Sequence, residues 1–577
     1  RDGPGRILHW VHDEHTVETP AIVMPETSHC AIPDWAEVSI TRKPSGARME
    51  LVSDGTWFHQ DDSVHEHPLV IKSPEPAPTS HVQVIDVGED VAVWHDAGAW
   101  CSKPNQTVAA FVDAKKQSRN RVFYAPMMGL PRDYALWAYV GVDLFDAAPL
   151  LLAATRGKAL TPDGEYTVEE LNEMIPGDWT VDALMQFNLE QARQEIARVK
   201  AAIRAGSLRN LAERRAYGHP DSVAILRRFD REHHYLESHT PVMGEDVACM
   251  TPEALHMPAV ERFRRRLRNQ YLPPASADIL VLLPCSARKP YKISKTHRYF
   301  QRALDDSGVR HRVHEVMITS PLGIVPRDLE DCYPANKYDI PVTGHWSRDE
   351  EAVIQEQIAH LLLRHEYKHV IAHVPESTYL FLREILPDNT LHTAHGRPSG
   401  IEDCNRLKEA VAALKDKTRP ATPQAYKARK KEDLGALLTY QLGESAVQLT
   451  NKCQAVGKIP FVKLIAPDGT QVGMTTIDRG HMSFSLDAGE KLNELGYKQV
   501  TIGDFEIRKT GSLFATGIVG ADPSIRKGDD VVVVRDGEVK GVGVADMNAF
   551  DMVHMTRGVG VRLRHVKKPE TVPEVTA

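Results

Sequence analysis

The sequence predicts a multidomain protein of mixed α/β and α+β class. Its parts are a (β/α)-barrel-like domain over 1–245, a doubly wound α/β core over 246–415, a linker over 416–435, a small α+β module over 436–496 and a C-terminal β barrel over 497–577. Three observations predict this. A chain of 577 residues is too long for one hydrophobic core and points to about three to five domains. Apolar runs of strand length alternate with helical periodicity up to about residue 415. Beyond residue 497 the pattern changes to short β units divided by glycines.

Hydrophobic content of 42% and charged content of 26% are those of a globular protein. No apolar run reaches the length of a membrane span and no signal-peptide core opens the chain, so the expected compartment is the cytoplasm, with no membrane partner. Seven cysteines are scattered without a C-x-x-C pair, which argues against a disulfide framework or a cysteine-built zinc ribbon. The net charge of −8 is mildly unfavourable to a polyanion, so any nucleic-acid binding must use local basic patches.

In the first domain, Thr19-Pro20-Ala21-Ile22-Val23-Met24-Pro25 reads as a short strand ended by proline. The segment Tyr124 to Pro131 leads into an apolar helix. Gly141 to Pro149 reads as a strand whose end carries Asp146, with Asp143 just before it; each acid suits either a strand-end site or a cap or turn. Leu184, Leu189, Ala192, Ile196, Val199, Ile203 and Leu208 recur at helical spacing, with a break at Gly206. Arg209, Arg214 and Arg215 near the end of that pattern suit a solvated face or a phosphate contact.

Thr251-Pro252-Glu253 opens an amphipathic helix carrying Arg262, Arg264, Arg265, Arg266 and Arg268, which suit a phosphate backbone or interdomain salt bridges. The core follows, with strands at Ile279–Leu283, Val313–Thr319 and Lys368–His373 and helices at Tyr299–Asp305, Glu350–Arg364 and Ser377–Ile385. Its strand ends carry Pro284-Cys285-Ser286, Ser320-Pro321 and His373-Val374-Pro375-Glu376, which a parallel sheet gathers on one edge as a single pocket. Residues 416–435 read as a basic, proline-broken linker. A strand at Phe461–Ile465, a turn at Asp468-Gly469 and a strand from Gln471 make the small module. The barrel ends in Arg557, Arg562, Arg564, Lys567 and Lys568 with no acid between them, an edge suited to a nucleic-acid backbone.

These residues carry a resemblance. The barrel resembles the PUA domain of RNA-modifying enzymes through Ile525-Arg526-Lys527-Gly528-Asp529-Asp530-Val531 and Arg557-Gly558-Val559-Gly560-Val561. The first domain resembles tRNA-guanine transglycosylases through Thr19-Pro20-Ala21 and Gly141 to Asp146. The core stretch Pro284-Cys285-Ser286, Lys289-Pro290-Tyr291, Ser294 and Thr296-His297 is similar to the motif of the archaeosine synthase family, with threonine in place of its second serine. The chain departs from transglycosylases in lacking an Asp-Ser-Gly-Gly segment and the three zinc cysteines, since no cysteine lies between Cys101 and Cys249. Asp146 aligns with the family's nucleophile, but Ala147-Ala148-Pro149-Leu150-Leu151 stands where its C-V-x-P-T-R would be, which makes Asp146 a relic position and the first domain a degenerate one.

The resemblance implies a tRNA bearing 7-cyano-7-deazaguanine as substrate. It also implies lysine or glutamine as amine donor, amidine formation at the nitrile, and a radical SAM enzyme as a downstream partner; its superfamily often forms homodimers. No cofactor is required by that chemistry and no metal site is expected. Cys285 is the candidate nucleophile, with Arg288, Lys289 and His297 lowering its pKa; the alternative is a buried cysteine acting as a small hydrophobe. His297 or Lys289 would supply the proton, and Ser286 or Ser294 would hold the imine nitrogen. Tyr291 would stack on the base or else pack under the loop; Ser320 and Asp331, with Asp328 and Glu330, would meet substrate or co-substrate. Lys527, Arg557, Arg562 and Arg564 would hold tRNA. The competing readings are a working transglycosylase acting through Asp146 and a non-catalytic tRNA-binding protein.

Overall fold

The computed structural model describes residues 1–12, 15–25, 32–41, 49–53, 57–60, 63–66, 82, 84–87, 89–94, 97–100, 104–415, 422–458, 461–507 and 511–567. Two compact units divide the chain at Thr240/Pro241. Cys30, Cys101, residues 416–421 of the expected linker and Lys568 lie outside the described residues.

The first unit is built on a sheet of nine strands: β1 (Ala21–Pro25), β2 (Val38–Thr41), β3 (Met49–Ser53), β4 (Trp57–Gln60), β5 (Ser63–Glu66), β6 (Val84–Val87), β7 (Val91–Trp94), β8 (Val122–Tyr124) and β9 (Leu144–Asp146). Their order is β5-β4-β3-β2-β1-β9-β8-β7-β6. From β3 across to β7 the strands run parallel, while both edges are antiparallel. The barrel-like expectation therefore takes the form of an open half-barrel. Helices α1 (Pro104–Ser118), α2 (Tyr134–Val140), α3 (Ala148–Thr155), α4 (Val181–Ala205) and α5 (Leu208–Ala216) complete the part of this unit used below. Gly206, at φ +64°, ends α4 in the left-handed cap that the sequence pattern marks.

The arginines of α5 do not form a free phosphate patch. Arg209 is buried and pairs with Glu213 and Asp230, and Arg215 pairs with Glu195 and Asp163; Arg214 alone of the three is exposed. Asp143 pairs with the buried Arg6 (2.7 Å) and accepts from the Phe123 amide, so it ties β8 and β9 to the N-terminal segment.

The first α-helix of the second unit is α7 (Pro258–Asn269); the first unit also holds α6 (Pro220–Arg231). Its core sheet has β10 (Ile279–Pro284) in the middle, in the order β12-β11-β10-β13-β14, where β11 is Val313–Thr319, β12 Gly323–Pro326, β13 His369–Ala372 and β14 Leu391–His392. All pairs are parallel except the β11–β12 hairpin. Ile279 to Leu283 are each 0% exposed, because α8 (Lys295–Asp306) and α9 (Arg348–Arg364) lie in the crossovers on either side of β10 and cover a parallel sheet on both faces. Each such buried aliphatic contributes roughly 1.5–3 kcal/mol. The hairpin turns at Gly323, whose φ of +77° and 2.9 Å approach of a built Cβ to Gln357 leave no room for a side chain. Ser347 and Glu350 start α9 with a capping box.

The arginines of α7 are also consumed locally. Arg262 donates to the Pro241 carbonyl, Arg264 to Leu255 and Glu261, and Arg268 pairs with Glu356 at 2.6 Å, so these contacts lie within the second unit and the phosphate reading is withdrawn for these three.

After α10 (Glu376–Leu382) and α11 (Ile401–Ala412), α12 (Pro423–Leu442) corrects the linker expectation over 423–435. Thr422 caps it and Pro423 occupies the first turn, where a missing N–H costs nothing, so a proline taken as a breaker is a starter. The small module is a meander, β15 (Gln454–Lys458), β16 (Phe461–Ile465), β17 (Gln471–Thr475) and β18 (Met482–Phe484), followed by α13 (Leu486–Glu494). The terminal sheet contains β19 (Gln499–Ile502), β20 (Gly511–Phe514), β21 (Ile518–Ala521), β22 (Asp530–Arg535), β23 (Glu538–Ala545) and β24 (Val559–Val566), with α14 (Ala549–His554) between the last two. Its order is β20-β24-β23-β22-β19-β21. The buried Asp530 joins module to barrel by receiving Arg479, Arg564 and the Phe484 amide.

Candidate active site

The order of the core sheet puts β11 on one side of β10 and β13 on the other, so the chain leaves β10 toward β11 and leaves β13 in the opposite direction, toward β14. The carboxyl ends of β10 and β13 form the topological switch point, where open α/β sheets leave a crevice. A cavity of about 590 Å³ lies there, reached by residues from all three strand ends: Pro284 and Cys285 after β10, Ser320 and Pro321 after β11, Pro375 and Ser377 after β13. Its far wall is the segment leading into α9, with Trp346 half-buried and its indole donating to the Thr378 hydroxyl at 3.2 Å. Asp349, on the first turn of α9, is exposed at the same cavity.

Under Cys285 lies a short chain of hydroxyls: Thr319, Tyr338 and Tyr291 are hydrogen-bonded in that order. Tyr291 is 0% exposed, so it packs beneath the loop and cannot stack on a base. The Lys289 ammonium sits 4.1 Å over the Tyr338 ring. Burial pushes the Cys285 thiol up, and Lys289 and the Thr319 hydroxyl oppose that without reversing it. The expected lowering of the cysteine by neighbouring cations is thus overturned: desolvation wins, and the resting group is a thiol. Burial pushes Lys289 down from its ordinary value. Burial thus moves the two groups in opposite senses, the thiol up and the ammonium down.

His297 has a different environment from the one its spacing suggests. It is 0% exposed on α8, packed against Tyr291 and Phe300, and its Nδ1 faces the Arg327 guanidinium at 3.1 Å. Burial, reinforced by Arg327, pushes this imidazole down to about 3, so it is neutral near pH 7 and is withdrawn as a proton donor. Arg327 in turn pairs with Glu315 and Glu330, each at 2.8 Å. Ser294, 4% exposed, sits at the start of α8, and Ser286 donates to the Arg288 carbonyl at 3.0 Å; Arg288 itself is exposed.

Asp331 and Asp328 face another cavity, of about 610 Å³, together with Lys292, Arg327 and Arg429. There Asp331 pairs with Lys292, and Asp328 accepts from the Tyr271 hydroxyl. Neither acid shares the Cys285 cavity. Ser320 does, at 6% exposure. Sequence reasoning missed Trp346 and Asp349; the one available signal was a tryptophan directly before the Ser347–Glu350 capping box.

On the barrel, Lys527 and Arg557 are exposed, and Arg562 is 71% exposed while pairing with Asp546. Arg564 differs: it donates to the buried Asp530 and to the Phe484 carbonyl, so it holds barrel to module and is removed from the tRNA-facing set. Asp146 is 1% exposed and accepts from the amides of Ala148 and Met127, a turn-and-cap role at the start of α3. Burial, opposed by those amides, raises it to about 6. The described cysteines, 249, 285, 332, 404 and 453, all lie in the second unit, so among the described residues the half-barrel holds no cysteine for a transglycosylase-type zinc.

Comparison with known proteins places the chain. Residues 260–411 match a domain of unknown function, DUF5591, and residues 504–567 match the PUA domain. The archaeosine synthase subunit alpha of Methanosarcina acetivorans is 34% identical over 83% of this chain and 80% of its own length. The archaeosine synthase of Haloferax volcanii is 31% identical over 84% and 83%. Among solved structures, AF0587, a protein of unknown function, is 25% identical and covers 53% of this chain and 98% of its own, at a TM-score of 0.41.

Proposed function

The chain belongs to the archaeosine synthase family, and from that premise we propose that its α/β core joins an amine to the nitrile carbon of 7-cyano-7-deazaguanine in tRNA, with Cys285 as nucleophile. The protein is an enzyme of tRNA modification in archaeosine biosynthesis. The observation that carries the finer reading is the placement of the Cys285 thiol in a cavity at the switch point of the core sheet, where the charge of Lys289 acts on it.

A nitrile carbon is a modest electrophile, so addition of a neutral amine is eased when a covalent bond to the enzyme activates that carbon first. The neutral form of Lys289, which burial favours, takes the Cys285 proton as the sulfur adds to the nitrile carbon. The resulting ammonium returns that proton to the developing imine nitrogen, giving a thioimidate. The amine then adds to the same carbon, one of its protons leaves with the sulfur, and the C–S bond breaks. The products are the amidine and the free thiol, with no oxidant or reductant consumed. Trp346 supplies the aromatic face for the base. Asp349 meets the ammonium of the donor, which is free lysine or a nitrogen from glutamine. A lysine adduct would pass to a radical SAM partner for cleavage. Lys527, Arg557 and Arg562 hold the tRNA backbone, and the work is done in the cytoplasm.

Base exchange by the half-barrel is not favoured, because Asp146 is 1% exposed and committed to backbone amides. Incubation of the enzyme with nitrile-bearing tRNA and isotopically labelled lysine or glutamine tests the reading. Label transferred to the tRNA from one of the two amines is expected; no transfer from either would overturn it.

A further inference from the structure

We propose that Glu376, His392 and His395 form a binding site for a divalent transition-metal ion of the zinc class. The ligand atoms of the three side chains lie within 4.8 Å of one another. Glu376 opens α10, His392 ends β14 and His395 follows in the next loop, so the sheet edge brings the three together. Among the described residues this is the one such group of histidine, cysteine and acidic side chains.

Zinc bonds to imidazole and carboxylate of about 2.0–2.2 Å give a tetrahedron with edges of roughly 3.4 Å. The Nδ1 of His392 and the carboxylate of Glu376 are already 3.3 Å apart. Only the exposed His395 has to swing inward, and its loop is fixed at the backbone by the buried Asp403, which accepts from the amides of His395 and Gly396.

The second observation is the orientation of His392. Its Nε2 lies 2.9 Å from the Val374 carbonyl, which can only accept, so Nε2 carries a hydrogen and Nδ1 is the nitrogen turned to Glu376, an ion-pair N–H without metal and the ligand atom with one. An imidazole that donates one nitrogen to a backbone carbonyl and presents the other is the outer-shell arrangement of metal-ligating histidine. The ring is also stacked on Tyr379 at 4.2 Å and 2° between planes, which fixes its plane. Three protein ligands leave a fourth position open to water, as in sites that polarise a bound ligand. Pro375 and Ser377, which flank Glu376, line the Cys285 cavity, so the ion would sit at its rim. This site is separate from any cysteine-based zinc and stands whether or not Cys285 is the nucleophile.

Titration of the full chain with Co²⁺ tests the proposal through the visible absorption of cobalt in a tetrahedral field. One equivalent is expected to bind and to be displaced by Zn²⁺. Glu376→Ala and His395→Ala, both at exposed positions, are each expected to weaken binding by at least about tenfold. Absence of a saturable cobalt spectrum, or unchanged affinity in either variant, would overturn it.

Discussion

Replacing Arg327 with methionine probes the buried network beside His297 of α8. Arg327 pairs with Glu315 at 2.8 Å and Glu330 at 2.8 Å, and both acids are under 5% exposed. Burial disfavours the charge on Glu315, but Arg327 and Arg310 outweigh it and hold the carboxyl down from 4.5 to about 2. That depression corresponds to about 3 kcal/mol at neutral pH. Because the folded value is the lower one, that stability is complete above about pH 5 and falls away as the pH drops toward 2; roughly half is gone by pH 3. Breaking a buried pair by deleting one partner costs about 3–5 kcal/mol. Arg310 stays 2.6 Å from Glu315, so the lower end, about 3 kcal/mol, is expected for Arg327→Met. Hydrogen exchange of peptides covering β11, followed through a urea series at pH 7 and pH 3, reads the change where it occurs. The variant should open about 3 kcal/mol more easily at pH 7 and differ less at pH 3. Equal protection at pH 7, or a gap that widens in acid, would refute the reasoning.

Three further outcomes are expected. Alkylation of Cys285, followed by peptide mass spectrometry, should rise with a midpoint above the ordinary cysteine range, and Lys289→Met should slow it at pH 8 because the opposing cation is gone. Trp346→Ala should raise the KM for nitrile-bearing tRNA by about 5- to 150-fold, the equivalent of roughly 1–3 kcal/mol of stacking on one base. Lys527→Ala, Arg557→Ala and Arg562→Ala should each reduce the salt slope of tRNA binding by about one unit or less in filter-binding assays, whereas Arg564→Ala should instead lower the melting temperature.

Local order was legible in the sequence wherever a short-range rule decides it. The run Ile279–Leu283, closed by Pro284, reads as a buried strand, and Gly206 marks the break of its helix. The gathering of the three strand ends at one cavity followed, since parallel strands share a carboxyl edge. What faces what did not follow, because it depends on partners far along the chain. Tyr291 is turned inward by Tyr338, His297 is held neutral with Arg327 alongside, and Arg564 is taken by Asp530. The thiol of Cys285 shows the same limit in energetic form: nearby cations are visible in sequence, but the desolvation that outweighs them is a property of the packed cavity. The Glu376, His392 and His395 group spans three elements with no motif spacing to announce it.

The proposed reaction turns on a covalent bond between Cys285 and the nitrile carbon of the base. Incubating the enzyme with nitrile-bearing tRNA and no amine, then digesting with nuclease and protease, exposes that bond to mass spectrometry. The peptide holding Cys285 should gain the mass of the nitrile nucleotide, lose it when the donor amine is added, and show no gain in Cys285→Ala. An unmodified Cys285 peptide, together with full amidine formation by Cys285→Ala, would contradict it.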